Sequence, residues 1–145
     1  MIARRTLAGF LLGVLAVLTF HQAAIGVMHA YGLVANPPFR LNPVGPLGVP
    51  AIANSAFWGG LWGIAIFLAT DRMRSDVARI LAATAIGAIG ATAVGWFVVA
   101  PLKGLPVAQG WNPAAMWRAP TINGLFGLGC GLLAHGVGAL FGLRR

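Results

Sequence analysis

Long apolar stretches without charged residues alternate with short polar segments along this chain. Four such stretches run over about residues 6–34, 49–70, 80–102 and 121–143. Each exceeds the roughly 20 apolar residues that a helix needs to cross about 30 Å of hydrocarbon. The pattern therefore predicts an all-α integral membrane protein with four transmembrane helices, forming a single membrane domain over residues 1–145.

The composition supports a membrane location and excludes some classes of partner. Hydrophobic residues make up 59% of the chain and charged residues 8%, whereas a soluble domain carries about 25% charged residues. A chain this short cannot hide so much apolar surface in a core, so the surface is expected to face the lipid bilayer. The net charge of +8 comes from residues flanking the apolar stretches, and no nucleic-acid partner is expected.

Basic residues are distributed unevenly between the two sides that this pattern predicts. Seven lie on one side and three on the other: Arg4, Arg5, Arg72, Arg74, Arg79, Arg144 and Arg145 against Arg40, Lys103 and Arg118. Cytoplasmic loops carry the excess of Lys and Arg, so both termini are expected to be cytoplasmic. The abundance of Ala, Gly and Arg is compatible with a bacterial source, which makes the bacterial inner membrane the expected location.

The two outer loops repeat a sequence pattern. Asn-Pro is followed by a second proline seven residues later and by an asparagine near the start of the next stretch: Asn42, Pro43, Pro50 and Asn54, then Asn112, Pro113, Pro120 and Asn123. The pattern predicts two tandem helix–loop–helix halves, about 6–70 and 80–143, as a parallel internal duplication. The two loops form either one outer binding site or a pair of turns, with Asn54 and Asn123 capping helices.

Small residues recur at four-residue spacing in all four stretches, which is typical of closely packed helices in lipid. The expected packing positions are Gly9, Gly13, Gly59, Gly63, Gly87, Gly127, Gly131, Gly138 and Gly142. A four-helix unit needs only part of this surface internally. The surplus predicts contact with further copies or with another membrane protein, and packing within one chain is the alternative.

Groups able to carry out chemistry are scarce. The only acids, Asp71 and Asp76, fall between apolar stretches, and no nucleophile motif or zinc-ligand spacing is present. An enzyme is therefore not expected. The candidate functional polar residues are His21, Gln22, His29, His135, Asn54, Asn123, Arg40 and Arg118.

The histidines within the apolar stretches have three open interpretations. They form structural hydrogen bonds, they contact a substrate or relay protons, or His21 and His135 bind one haem as axial ligands. Three functions follow. The first is a structural or accessory subunit that assembles through glycine-rich helix faces. The alternative is a component of a channel or transporter for a small solute or anion. The third is a haem-binding redox protein.

Overall fold

The computed structural model describes residues 2–140, and the surroundings of their side chains up to residue 136. Within that range the chain is mainly helical. Its long helices are α1 (Ile2–Ala30), α2 (Ala51–Thr70), α3 (Asp76–Leu102) and α4 (Arg118–Leu140). An antiparallel hairpin, β1 (Pro43–Val44) with β2 (Val49–Pro50), lies between α1 and α2. Two short turns, Val107–Trp111 and Pro113–Met116, lie between α3 and α4.

Three of these helices are long and apolar enough to cross a membrane. They are α1 with 29 residues, α2 with 20 and α3 with 27. Within the part of the chain whose surroundings the structure describes, α4 does not meet the same length and hydropathy requirements. The all-helical class and the apolar helices expected of a membrane protein are therefore confirmed.

Local backbone signals set helix boundaries that differ from the predicted ones. α1 ends at Ala30 rather than near residue 34, since Gly32 adopts a φ of +69° and its amide returns to the carbonyl of His29. α3 begins at Asp76 rather than residue 80, because the Ser75 hydroxyl accepts a hydrogen bond from the amide of Ala78 at 3.3 Å.

The closest helix contact joins α1 to α2 through glycine. A Cβ added to Gly13 would lie 2.8 Å from the Cα of Gly63, and one added to Gly9 would lie 2.9 Å from the Cα of Ile64. Gly59 meets the side chain of Val17. The two backbones are therefore in direct contact at these glycines, as small residues in lipid allow.

α4 occupies the centre of the bundle and uses its glycines on several faces. Gly127 lies against Gly87 and Ala83 of α3, and Gly131 lies against Ile80 of the same helix. On another face, Gly129 contacts the ring of Phe20 in α1. Contacts within one chain thus account for Gly127, Gly129 and Gly131. Gly138 and Gly142 lie outside the residues whose surroundings are described.

Ion pairs gather where α1 begins, α2 ends and α3 begins, which we call the charged end of the bundle. Arg5 pairs with Asp71, which follows α2. The Nδ1 atom of His135 lies 3.1 Å from a carboxylate oxygen of Asp76, so α3 is also tied to α4. The opposite end carries the β-hairpin and is called the hairpin end.

The paired asparagines do not cap helices as the sequence suggested. The first amides of α2, from Ala51 and Ile52, instead donate to the carbonyls of Asn42 and Arg40 at 3.0 Å each. Because these backbone carbonyls cap α2, the side chain of Asn54 is not used as a helix cap. Asn123 lies inside α4, five residues after its start, where the amides already bond within the helix.

The two Asn-Pro loops also take different conformations. Asn42-Pro43 leads into the hairpin, and the Asn42 side chain accepts a hydrogen bond from the Nε of Arg40 at 2.8 Å. The side chain of Asn112 instead caps a single helical turn by accepting from the amide of Ala114 at 3.1 Å. Similar sequences therefore fulfil local turn roles rather than forming one symmetric site.

We predict that Gly13→Ala lowers the free energy of unfolding by about 1–3 kcal/mol, because the added methyl group meets the backbone of α2. Gly136→Ala is the matched control, since a Cβ there meets nothing within 4 Å. Reversible unfolding of both variants in mixed detergent micelles measures the difference. Equal stability of the two variants would contradict the glycine contact.

Candidate functional site

A cleft of about 800 Å³ opens between α2 and α3 toward the hairpin end. The two helices approach each other at Trp62 of α2, whose ring lies 3.4 Å from a Cβ added to Gly90 of α3. From there toward the hairpin end they form the opposite walls of the cleft. α1 and α4 contribute the back of the cleft through Val17 and Phe126. The volume lies in the range of sites that bind small molecules.

The walls of the cleft are mainly apolar and aromatic. α2 contributes Trp58 and Trp62, and α3 contributes a face from Ala91 to Leu102. The hairpin closes the outer part with Val44 and Gly45. The lining extends only as far as Ala91 on α3 and Ala65 on α2, so the cavity stops short of the charged end and is a cleft rather than a passage through the bundle.

Four neutral polar residues of the lining, His21, Asn54, Ser55 and Asn123, are called here the polar belt. The packing register brings them to a similar depth. Val17 of α1 lies beside Gly59 of α2. The two helices are antiparallel, so one helical turn toward the hairpin end leads to His21 on α1 and to Ser55 on α2, at the same level. On the opposite side, the ring of His21 meets Phe126 of α4 edge to face at 6.5 Å.

Asn123 is held in place by α3. Its side-chain amide donates a hydrogen bond to the hydroxyl of Thr92 at 3.0 Å, and Thr92 is buried. The Asn123 side-chain oxygen has no hydrogen bond among the described residues. Only one half of this amide is therefore committed to packing.

Two of the helices that line the cleft, α1 and α3, widen locally into π-helical turns. These turns are Val17–His21 in α1, and Ile86–Ala91 and Gly95–Val99 in α3. Each includes residues that line the cleft, among them His21, Ala91 and Gly95. Widened turns are frequent at functional sites, because they re-aim side chains without breaking a helix.

Gln22, although next to His21, serves the loop rather than the cleft. It is buried, and its side-chain oxygen accepts a hydrogen bond from the amide of Phe39 at 2.7 Å. Phe39 adopts a φ of +54°, a conformation that costs energy for a residue with a side chain. The buried glutamine thus anchors the strained loop that follows α1.

The other candidate residues near the hairpin end lie outside the cleft. His29 is exposed, and its Nδ1 lies 3.1 Å from the carbonyl oxygen of Val34. Arg40 bonds to Asn42, as described above. Arg118 begins α4, and its Nε atom is buried with no hydrogen-bond partner among the described residues. The structure therefore brings together only His21, Asn54 and Asn123 of the candidates.

His135 lies far from His21. It occupies α4 nine residues beyond Phe126, which contacts His21, so about 13 Å of helical rise separates the two levels. Its ring faces Asp76 at the charged end. The structure does not bring these histidines together as axial ligands of one haem. Among residues 2–136, no three His, Cys, Asp or Glu side chains form a group able to hold a metal ion.

Sequence reasoning missed several residues of the site. Trp58 and Trp62 follow Asn54 at four-residue spacing, which places all three on one face of α2. That spacing was a usable signal for the wall of the cleft. Thr92 and Lys103 had no such signal, because their place in the site depends on how α3 packs.

No protein-family model, curated protein or solved structure matches this chain.

We predict that Gln22→Leu loosens the loop after α1, because the amide of Phe39 loses its acceptor. An unpaired buried amide costs about 1–3 kcal/mol. Hydrogen exchange of the amides of residues 39–42 is expected to rise by roughly tenfold or more, as that energy implies. Thr19→Val is the control, since the Thr19 hydroxyl bonds only to Leu15 of its own helix. Unchanged exchange in Gln22→Leu would show that the loop is held by other contacts.

Proposed function

We propose that this chain is a small membrane protein that binds a lipid-like molecule in the cleft between α2 and α3. The observation that carries this proposal is the pairing of apolar walls with a polar belt inside one cavity of about 800 Å³. Small-molecule sites combine a mainly apolar lining with a few placed polar groups. The role is binding rather than catalysis, since the belt offers no acid and no activated nucleophile.

We further propose that all four helices cross the bacterial inner membrane as two tandem helix–loop–helix halves, with the charged end cytoplasmic. The arginines near that end, including Arg5, Arg72 and Arg79, support this orientation. The cleft then opens in the outer leaflet. Its limited depth favours binding over transfer of a solute across the membrane, so a channel or transporter component is the weaker proposal.

We predict that Gly95→Leu displaces the bound molecule, because Gly95 lines the cleft and a Cβ there meets nothing within 4 Å. The leucine side chain fills the cavity without touching the helix contacts. A cost of about 1.4 kcal/mol or more lowers occupancy at least tenfold. Native mass spectrometry of the protein purified in mild detergent measures the bound lipid-like mass.

Gly136→Leu is the matched control, since Gly136 also has open space around it but lies outside the cleft. It is expected to retain the bound mass at the level of the unmodified protein. If neither the unmodified protein nor the Gly136→Leu control carries or takes up a lipid-like molecule, the proposed function is wrong.

An accessory subunit that docks through α3 is the second candidate. In the most apolar 18-residue stretch of α3, 11% of residues are buried within the chain, against 33% for α1. Among α1, α2 and α3, it is therefore α3 that leaves the largest share of its residues uncovered for a further copy or a larger membrane complex. Packing within the chain already occupies Gly127, Gly129 and Gly131 of α4, so this candidate rests on α3.

We predict that Ile89→Trp weakens such assembly roughly tenfold, which corresponds to about 1.4 kcal/mol of lost contact. Ile89 is 71% exposed on α3, and Leu11→Trp on α1, at 57% exposure, is the control. Light scattering in mild detergent gives the mass of the particle. A monomer for the unmodified protein, with no co-purified partner, would exclude this candidate.

A further inference from the structure

The polar belt contains hydrogen-bonding groups that the chain itself does not use. Among the described residues, the side-chain amide of Asn54 and the hydroxyl of Ser55 have no hydrogen bond, and the one hydrogen-bond partner of the His21 ring is the side-chain amide of Gln22, 3.4 Å from Nδ1. All three are partly buried. At membrane depth, unpaired polar groups are costly, so a site with this composition favours an occupant that hydrogen-bonds to it.

The cleft also lacks a partner for a charged group at this level. Its lining contains no Asp or Glu, and its only Lys or Arg is Lys103. Lys103 follows the last turn of α3, 11 residues beyond Thr92, which corresponds to about 16 Å of helical rise. A phosphate or ammonium group placed at the belt would therefore be desolvated without a counter-charge, which is strongly unfavourable.

Donors and acceptors are both present in the belt. Asn54 offers an amide N–H and a carbonyl oxygen, Ser55 offers a hydroxyl, and Nε2 of the neutral His21 donates, because Nδ1 accepts from the Gln22 amide N–H. A ligand hydroxyl or carbonyl matches this set. The neighbouring wall of Trp58, Trp62 and Val98 matches an extended apolar chain or a ring system.

We infer that the ligand is an uncharged, lipid-soluble molecule whose hydroxyl or carbonyl group hydrogen-bonds to the belt formed by His21, Asn54 and Ser55. Its apolar part lies along the Trp58–Trp62 wall and leaves the cleft sideways into the bilayer. This inference rests on the proposed binding function and adds the chemical class of the ligand.

Three brominated alkyl probes of equal chain length test the head-group preference: an alcohol, a phosphate and an ammonium. Each is titrated against the full chain in nanodiscs, and bromine quenching of tryptophan fluorescence reports entry beside Trp58 and Trp62. The alcohol is expected to reach half-saturation at a concentration at least tenfold lower than either charged probe. Trp58→Phe with Trp62→Phe identifies the part of the quenching that comes from the cleft.

Two variants test the belt directly. Asn54→Leu and Ser55→Ala are each expected to weaken binding of the alcohol by about three- to tenfold, the range for one lost hydrogen bond. Neither should alter binding of the charged probes. Gln109→Leu is the control, because Gln109 is exposed in the α3–α4 connection and outside the cleft.

The outcomes that would contradict the inference distinguish the chemical class of the ligand from the proposed binding function. Equal binding of all three probes, or preference for the phosphate with loss in Lys103→Ala, overturns the uncharged class and leaves the cleft as a binding site. If none of the three probes quenches Trp58 and Trp62, water alone occupies the belt. That result overturns both the uncharged ligand class and the proposed function.

Discussion

The direct backbone contact between α1 and α2 is the constraint on which the rest of this structure depends. Gly9, Gly13, Gly59 and Gly63 allow an approach that any side chain would block. In lipid, such contacts gain van der Waals energy without help from the hydrophobic effect. α3 and α4 make a similar contact at Gly87 and Gly127. The bundle therefore consists of two closely packed helix pairs, α1 with α2 and α3 with α4. The packing between the pairs does not have to be as close as the packing within each pair.

The cleft follows from this unequal packing. α4 lies against α1 as well as α3, whereas α2 and α3 are held together at the charged end by a connection of five residues, 71–75. Farther toward the hairpin end, Trp62 spans the gap at Gly90, and beyond it the two helices diverge. The cavity is thus a consequence of where glycine permits close approach and where a tryptophan ring prevents it.

Several polar side chains of the described helices have hydrogen-bond partners within the chain. The hydroxyls of Thr70 and Thr84 bond to carbonyls of their own helices, and Gln22 bonds to the loop at Phe39. The polar belt differs because Asn54 and Ser55 keep unused hydrogen-bonding capacity beside an apolar wall. This unused capacity beside an apolar wall, rather than the mere presence of polar residues in apolar helices, distinguishes the candidate site from structural hydrogen bonding.

The sequence by itself determined the all-helical class and the approximate extent of the apolar helices. It did so because length and hydropathy act within one helix. It did not determine the partners of single side chains. Asn54 was expected to cap α2, but the carbonyls of Asn42 and Arg40 fulfil that role. His135 was considered beside His21, but the register of α4 places it at Asp76. Only the tertiary structure decided these points, because each depends on the depth at which two helices meet.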